Sequence, residues 1–498
     1  MKTPPRVGVL PLYLALYDQV APQYRPQVEA FARRVASRLV GAGLAVELAT
    51  ICCVRVDVER AVADLTSRDI DLLATLHLAY SPSLEAADVL SACHLPLVLL
   101  DTTPARRFAE DATMDDLFTN HGIHGVQDLA CMLRRSGRPY AVVTGHVDDE
   151  AFLQEVVAAA LRGAQGRPRP NRRRHLTRGC AATRAAVERS RGAAQGARMA
   201  RHFRSTRVLV FGDEFAGMGD FAVEPDVAAR ALGMTVQRVS VPQLADRVRQ
   251  VSGDELAAEA LADRERYDCS RIPADLLSAS NRVGLGVRAM LEESGAAAFS
   301  FNFQSFSREL GTATVPFLEA SKAMARGVGY AGEGDALTAA LVGALLQVVG
   351  EVTFTEMFCP DWEGNAIFMS HMGECNPAVA AARPVMVEKD YVFGSAENPV
   401  IVVFPVRPGP ATLINIAPGP GDSFGVICSR VRVLDRWLPQ RFPEVPHFWI
   451  EPADMGLRDF LRRYSECGGT HHLALVLGDY LEPVRLMAGM MGLSFERI

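Results

Sequence analysis

Acidic and imidazole side chains are concentrated in one stretch of the chain, residues 350–390, among phenylalanine, methionine, cysteine and proline. The stretch contains Glu356, Asp361, His371, Glu374 and Asp390. Carboxylates are rarely left in apolar surroundings unless they are paired or bound to a metal. A second polar cluster, GGTHHLAL at residues 468–475, supplies two further imidazoles. Carboxylate oxygens combined with an imidazole nitrogen suit Mn2+ or Mg2+. The residue types therefore predict a metal-dependent enzyme site.

Two carboxylates beside one metal can divide the work of proton transfer, one as base and the other as acid. We select Glu356 and Glu374 as this pair. Either one alone would more often be a structural hydrogen-bonding group, and the tandem pair His471 and His472 is more often surface or core. The turn AGEGD at residues 331–335 is first of all typical of a helix N-terminus capped by its aspartate.

The overall composition describes a multidomain globular protein. A chain of 498 residues is too long to fold around a single hydrophobic core, so two to four domains are expected. The net charge of −6 gives no reason to expect a nucleic-acid or membrane partner. The cysteines lack CxxC spacing, which excludes a zinc ribbon. With no signal-peptide pattern and no apolar run of about 18 residues, we expect a cytoplasmic protein.

Hydrophobic patterning divides the chain into segments. In residues 1–165, strands alternate with helices, which predicts a doubly wound parallel sheet whose ligands bind at the carboxyl ends of strands. We place two polar clusters at such ends, LHLAYSP at residues 76–82 and TNHGIHG at residues 119–125. Residues 204–328 alternate again, beginning with RVLVFGDEF, and predict a second α/β domain. Residues 329–498 begin with the helix 336–349 and become β-rich beyond residue 390, as in an antiparallel sheet or barrel.

Residues 166–203 differ from both flanking segments because they are rich in arginine, as in RPRPNRRRHLTRG. We interpret this segment as a solvated linker or surface insertion. The alternative is an arm that binds anions or nucleic acid, although aromatic residues that could stack on bases are scarce there.

Six segments, in the same order, resemble the L-arabinose isomerase family within the wider arabinose/fucose isomerase group. They are NHGIHGVQDLACMLRR with the following YAVVTGH, VLVFGDEFAGM, GVGYAGEGDALTAAL, TFTEMF, HMGECNP and GGTHHLAL. The resemblance extends along almost the whole chain. It implies two doubly wound parallel α/β sandwich domains and a C-terminal mixed α+β domain containing an antiparallel β-barrel. It also implies a homo-oligomer, a hexamer or trimer, with active sites between subunits.

The resemblance also implies which residues form the site. It assigns metal binding to Glu356, Glu374, Asp390 and His472, with Asp390 at or next to a position where the family has histidine. It assigns substrate contacts to His121, His124, Tyr80 and Gln304, with His124 reaching the substrate of a neighbouring subunit. Tyr80 and Phe303 would form an apolar wall, although aromatic core packing is the simpler interpretation.

The implied reaction is the interconversion of an aldose and a ketose through a cis-enediol, with Mn2+, Mg2+ or Co2+ stabilising the developing charge. The sugar would be arabinose-like, fucose-like or modified. Two alternatives stay open: a non-catalytic sugar-binding or regulatory protein on the same scaffold, and a metal-dependent enzyme of another reaction type on a sugar derivative.

Overall fold

The fold is described from a computed structural model, which covers residues 4–165 and 184–498. The first part of the arginine-rich segment, residues 166–183, lies outside the described residues, so its interpretation as a linker stays a prediction. The limits of the predicted domains likewise stay predictions. In the described part of the chain, no helix is both long enough and apolar enough to cross a membrane.

The N-terminal region is a five-stranded parallel sheet in the order β2-β1-β3-β4-β5. Its strands are β1 (Arg6–Leu12), β2 (Ala45–Leu48), β3 (Leu72–His77), β4 (Leu97–Asp101) and β5 (Ala141–Thr144). Its helices are α1 (Ala15–Val20), α2 (Arg25–Gly41), α3 (Arg55–Thr66), α4 (Ala87–Ala92), α5 (Met114–Asn120), α6 (Ile123–Arg135) and α7 (Glu150–Ala164). Every residue of β3 and β4 is buried, as expected for central strands covered by helices on both faces.

One of the two polar clusters is not where the sequence placed it. LHLAYSP does follow the end of β3, as predicted, but residues 119–125 join α5 to α6 instead of following a strand. The reason is a capping box in which Thr113 and Asp116 exchange side-chain and backbone hydrogen bonds and start α5. His121 and His124 are therefore held at a helix–helix junction.

The central region is a four-stranded parallel sheet in the order β7-β6-β8-β9. Its strands are β6 (Arg207–Phe211), β7 (Thr235–Val239), β8 (Ala298–Phe301) and β9 (Gly329–Gly332). Its helices are α8 (Arg184–Arg204), α9 (Pro225–Leu232), α10 (Val241–Arg249), α11 (Gly253–Arg266), α12 (Ala274–Ser294), α13 (Phe317–Ala325) and α14 (Ala336–Leu346). All residues of α14 after Ala336 are buried, which is the environment that an apolar helix without a polar face requires.

The C-terminal region contains a closed six-stranded antiparallel barrel in the order β14-β17-β10-β11-β16-β15, closed by pairing of β14 with β15. The strands of this region are β10 (Val352–Asp361), β11 (Ala366–Ser370), β12 (Val385–Glu388), β13 (Val400–Val403), β14 (Gly409–Pro418), β15 (Phe424–Val433), β16 (His447–Pro452), β17 (His472–Leu477) and β18 (Ser494–Arg497). Its helices are α15 (Leu457–Glu466) and α16 (Leu481–Met491), and α16 packs on α8. Two parallel sheets and an antiparallel barrel confirm the predicted fold class.

Candidate active site

The centre of the site is the carboxylate of Glu356, on barrel strand β10. Antiparallel pairing sets Glu356 opposite His472 of β17 and opposite Ser370 of β11. Four imidazole nitrogens surround this carboxylate. Glu356 Oε1 lies 2.8 Å from His472 Nε2, 3.4 Å from His371 Nε2 and 3.8 Å from His471 Nε2, and Glu356 Oε2 lies 3.4 Å from His124 Nε2.

The second carboxylate of the site, Glu333, follows directly after β9 at the carboxyl end of the central sheet. Its φ of 64° is left-handed, a conformation that costs a residue with a side chain roughly 1–2 kcal/mol. This backbone turn is fixed because the carbonyl oxygen of Glu333 accepts a hydrogen bond from the Phe215 amide at 2.9 Å. Glu333 Oε2 then lies 3.5 Å from Nε2 of both His471 and His472.

Three of the histidines are oriented by buried carboxylates through their Nδ1 atoms. The pairs are His371 with Glu374 at 2.6 Å, His471 with Asp220 at 2.7 Å, and His472 with Asp335 at 3.0 Å. Because an ionised carboxylate only accepts hydrogen bonds, Nδ1 carries the proton and Nε2 faces Glu356. This carboxylate–imidazole arrangement is the one that supports metal-bound histidines.

Burial and mutual charge shift the pKa values of these groups in opposite directions. Burial by itself raises the pKa of Glu333, but the neighbouring imidazoles of His471 and His472 outweigh it and hold the value at about 2. Glu356 also has a lowered pKa because the nearby imidazoles outweigh burial. Burial opposes the charge of His471, yet Asp220 raises its pKa to about 10. The pKa of His371 is also raised, mainly by Glu374.

The donor atoms fit a divalent metal ion. Ligand atoms of Glu333, Glu356, His471 and His472 all lie within 4.8 Å of one another, and all four residues are buried. In the described part of the chain, no lysine or arginine nitrogen lies within 4.0 Å of the Glu333 or Glu356 carboxylates.

Buried atoms without hydrogen-bond partners indicate which imidazoles are available to bind an ion. Nε2 of His371 and of His472 have no hydrogen-bond partner among the described residues, whereas His471 Nε2 bonds Glu333 Oε2 at 3.5 Å. His472 Nε2 also lies 2.8 Å from Glu356 Oε1. Two carboxylates with two unpaired imidazole nitrogens are a ligand set that Mn2+ and similar ions accept.

Gly332 makes room for one of these imidazoles. A Cβ atom at this position would lie 2.6 Å from Cε1 and 2.8 Å from Nε2 of His371. Contacts this short do not occur between such atoms, so a larger residue would push the ring away. The absence of a side chain at Gly332 thus helps to set the position of His371.

A cavity of about 130 Å³ opens in front of the two carboxylates. Its polar lining consists of Tyr17, Tyr80, His121, His124, Glu333, Glu356, Ser370, His371, Lys389 and His471. The remaining lining residues are apolar. Among the described residues that line this cavity, Glu333 and Glu356 are the two acids.

Three of the four predicted substrate residues line this cavity, and all of them belong to one chain. Among the residues that the structure describes, His124 Nε2 has no hydrogen-bond partner, and burial lowers the pKa of His124 to about 3, so its ring is neutral. His121 Nε2 instead shares a 2.8 Å hydrogen bond with the hydroxyl of Tyr17. Tyr80 donates to Asp128 at 3.1 Å. His124 Nε2 lies 3.4 Å from Glu356 Oε2 of its own chain, and the expectation that His124 reaches the substrate of a neighbouring subunit stays a prediction.

Other predicted site residues lie apart from the cavity. Glu374 is buried behind His371, and its oxygens are occupied by His371 Nδ1, by the Gly373 amide at 2.8 Å and by the Tyr330 hydroxyl. Asp390 is exposed, and its amide donates to Glu444 at 2.9 Å. Gln304 is also exposed, and its side chain reaches the Phe393 carbonyl at 3.4 Å. The structure does not bring these three into the group around Glu356.

Sequence reasoning missed Glu333 as a chemical group. The AGEGD turn was noticed, but the capping role of Asp335, which does accept from the Thr338 amide at 2.8 Å, accounted for the motif by itself. Asp335 in fact has two roles, since its other oxygen bonds His472. Asp220 left no sequence signal, because its partner His471 is 251 residues away.

Comparison with known proteins gives matches to one family. Residues 207–351 match the model of the L-arabinose isomerase central domain, and residues 351–494 match the L-arabinose isomerase C-terminal domain. Together these matches span more than half of the chain.

Curated relatives match over most of their length. A protein named L-arabinose isomerase from Nocardioides sp. (strain JS614) is 28% identical over 459 residues, which is 87% of this chain and 82% of that protein. Proteins of the same name from Erwinia tasmaniensis and Acidothermus cellulolyticus are 27% and 25% identical, covering 87% and 88% of this chain and 81% and 82% of their own length.

Proposed function

Since this chain belongs to the L-arabinose isomerase family, we propose that it is an aldose–ketose isomerase. The relatives that it resembles carry the name of such an enzyme. The observation that carries the proposal is the pairing of two cavity-facing carboxylates, Glu333 and Glu356, with imidazole nitrogens that have no partner of their own.

We propose that Glu333, Glu356, His371 and His472 hold one divalent cation, with Mn2+ preferred over Mg2+ because two ligands are imidazoles. When bound, the ion would polarise the carbonyl and adjacent hydroxyl oxygens of the substrate. His371 and His472 stay correctly oriented because Glu374 and Asp335 hold their Nδ1 protons. His471 supports Glu333 through its 3.5 Å hydrogen bond.

Proton transfer between the two reacting carbons needs a base and an acid within reach of both. Glu333 and Glu356 meet this requirement because both line the cavity, and we propose them as the pair. Glu374 is better suited to a positioning role, since its oxygens already accept hydrogen bonds from Tyr330, Gly373 and His371. The neutral ring of His124, with a free Nε2 atom 3.4 Å from Glu356 Oε2, is suited to hold a substrate hydroxyl.

Assembly is a further part of the proposal. The family resemblance supports a homo-oligomer of six or three chains, and mass photometry of the purified protein would measure this.

Exchange of the substrate C2 hydrogen with solvent deuterium tests the proposed activity. The Mn2+-loaded protein should incorporate deuterium into an aldose and produce the corresponding ketose. Glu356→Gln should reduce this rate at least 1000-fold, since it removes both a proton-transfer group and a negative charge at the site. The matched control is Glu363→Gln, an exposed glutamate that follows the same strand.

Metal analysis gives a second, independent measurement. The wild-type protein and Glu363→Gln should each hold about one Mn2+ per chain, and Glu333→Gln should hold far less. A wild-type chain that binds sugar and metal but exchanges no C2 hydrogen, across pentoses, hexoses and 6-deoxy sugars, would contradict the proposed reaction.

A further inference from the structure

A short loop of the central region, residues 219–221, contacts both of the tandem histidines. The Asp220 carboxylate accepts a hydrogen bond from the backbone amide of His471 at 2.8 Å and another from His471 Nδ1 at 2.7 Å. The Phe221 ring stacks on the imidazole of His472, with centroids 4.9 Å apart and an angle of 5° between the ring planes. Because the loop contacts both rings, its position helps to set where the two imidazoles lie.

A carboxylate of the N-terminal region, that of Asp128 on α6, holds this loop. Asp128 Oδ1 accepts hydrogen bonds from the backbone amides of Gly219 at 3.3 Å and Asp220 at 3.0 Å. Asp128 Oδ2 accepts from the Ser83 amide at 2.9 Å and from the Tyr80 hydroxyl at 3.1 Å. One oxygen of this buried carboxylate therefore binds the loop, and the other binds the segment that follows β3.

We infer that Asp128 is a positioning residue for His471 and His472 and acts on them through the loop 219–221. Asp128 itself is not part of the cavity lining. The inference rests on the proposed metal-dependent function, since His472 is one of the proposed ligands. It gives the N-terminal region a role in metal binding, although the four proposed ligands all lie within residues 333–472.

The loop backbone lies directly against the N-terminal region. A Cβ atom at Gly219 would lie 2.8 Å from Ser83 Oγ and 2.8 Å from the sulfur of Met132. The Gly219 carbonyl also accepts a hydrogen bond from Arg135 Nη1 at 2.7 Å. Among these contacts, the bond from Asp128 reaches the amide of Asp220, the residue whose side chain orients His471.

The two-sided contact of Asp128 requires a carboxylate. An ionised carboxylate accepts hydrogen bonds at both oxygens, whereas a side-chain amide accepts at its oxygen and donates from its nitrogen. In Asp128→Asn, the amide oxygen can face either the loop or the Ser83 amide, and the NH2 group then meets N–H donors on the other side. Either orientation breaks the connection between the loop and the N-terminal region.

Hydrogen exchange of the full-length, metal-free protein tests this connection. In Asp128→Asn, the backbone amides of Gly219, Asp220 and His471 should exchange at least about tenfold faster than in the wild type, since all three donate within this network. The matched control is Asp361→Asn, which changes another buried aspartate that holds a different turn through the Gly364 amide. Exchange at the three amides that is the same in both variants would overturn the inference.

Mn2+ titration measures the consequence for the site. Loss of a group that orients a metal-binding imidazole weakens metal binding by about 10–100-fold. Since Asp128 acts through an intervening loop, Asp128→Asn should weaken Mn2+ binding by at least about threefold. Asp361→Asn should bind Mn2+ like the wild type, and urea denaturation would show that both variants are folded. A purely structural role of Asp128 would lower stability and leave the Mn2+ affinity of the folded protein unchanged, which would overturn the inference.

A second substitution in the loop tests the inference even if Asp128→Asn does not fold. Phe221→Leu removes the ring that stacks on His472, so Mn2+ affinity should fall by at least about threefold. The matched control Phe442→Leu changes another buried phenylalanine, whose ring meets that of His447 at 5.3 Å outside the cavity lining. Equal Mn2+ affinities of these two variants would contradict the role of the loop.

Deuterium exchange at the substrate C2 atom separates this inference from the proposed function. If the wild type exchanges this hydrogen while Asp128→Asn keeps wild-type Mn2+ affinity and amide exchange, then the function stands and the inference fails. If the wild type exchanges no C2 hydrogen while Asp128→Asn changes amide exchange and Mn2+ affinity as expected, then the isomerase proposal fails and the positioning role stands.

Discussion

Two groups of charged side chains in this chain differ in the residues that neutralise their carboxylates. The first connects helices α11, α12 and α13, and its carboxylates are neutralised by lysine and arginine. Lys322 Nζ lies 2.9 Å from Glu259 and 2.5 Å from Asp263, and Arg288 binds Glu259 through two 2.7 Å hydrogen bonds. The second group surrounds Glu356, where the nearest positive charges are histidines.

The difference separates a structural network from a reactive site. In the helix network, hydrogen bonds from Arg288 and Lys322 overcome the cost of burial and hold the pKa of Glu259 at about 2, and none of its members lines the cavity. Around Glu356, by contrast, the Nε2 atoms of His124, His371 and His472 have no hydrogen-bond partner within residues 4–165 and 184–498. Buried polar groups are normally satisfied, so these atoms are available to bind a ligand.

The largest effect is expected on stability, from breaking the helix network. Lys322→Met leaves Asp263 and Glu259 without their shared cation, which should lower the free energy of unfolding by about 3–5 kcal/mol. Urea denaturation measures this loss, and Mn2+ affinity should stay within twofold of the wild type.

Lys389→Met is the matched control, because Lys389 is also buried but donates its hydrogen bond to a backbone carbonyl, that of Glu444. Burial lowers the pKa of Lys389, so we expect its removal to change the free energy of unfolding by less than about 1 kcal/mol. Equal losses of unfolding free energy in the two variants would mean that the helix network contributes no more to stability than Lys389 does.

An intermediate effect is expected on metal affinity, from the carboxylates behind the imidazoles. Asp335→Asn keeps an oxygen that caps α14 but removes the negative charge that orients His472. Loss of such a partner typically weakens metal binding by about 10–100-fold, which Mn2+ titration would measure. Asp254→Asn, in the first turn of α11, is a control for the loss of one helix-terminal charge. Unchanged affinity in Asp335→Asn would contradict His472 as a ligand.

The last effect is on the pH dependence of stability and concerns Asp101, a buried carboxylate with no ion pair among the described residues. Asp101 is 1% exposed at the end of β4, and burial raises its pKa to about 7. The folded protein then keeps a proton that the unfolded chain releases near pH 4. The free energy of unfolding should therefore fall as pH rises from 4 to 7, by at most about 1.4 kcal/mol per pH unit from this group.

Asp101→Asn should remove this contribution, which denaturation at several pH values would reveal as a flatter slope. Asp111→Asn, at an exposed position, should leave the slope unchanged. The same slope in the wild type and in Asp101→Asn would mean that Asp101 is ionised in the folded protein.

Prediction from sequence succeeded where local patterning was strong. The apolar runs at residues 412–417 and 424–433 predict two strands. Strand β15 has the second limits, and β14 begins three residues earlier and ends one residue later than the first. Helix α14 was predicted to continue to residue 349 but ends at Leu346, an ordinary uncertainty at helix ends. Helix α11 was missed, since charged and small residues cover all but a few of its positions and leave a weak hydrophobic period.

Site residues were predictable only in part. Glu356 and His472 lie on barrel strands whose apolar patterns drew attention to the polar exceptions. Asp390 was selected for its position in a family resemblance, yet it is exposed, and the residue of the 350–390 stretch whose imidazole lies beside Glu356 is His371. Sequence spacing could not distinguish the two, because the direction of each side chain depends on the tertiary structure.

The sequence by itself determined the layers of this protein, since hydrophobic periodicity specifies which elements are strands or helices and which faces they bury. It also determined the supply of carboxylates and imidazoles. Tertiary structure alone decided which of them meet. His124, Asp220, Glu333, Glu356 and His472 come from three regions of the chain, and the register of β10 against β17 and the left-handed turn at Glu333 bring them to one cavity. No local pattern encodes that meeting, because each contact joins residues that are far apart in sequence.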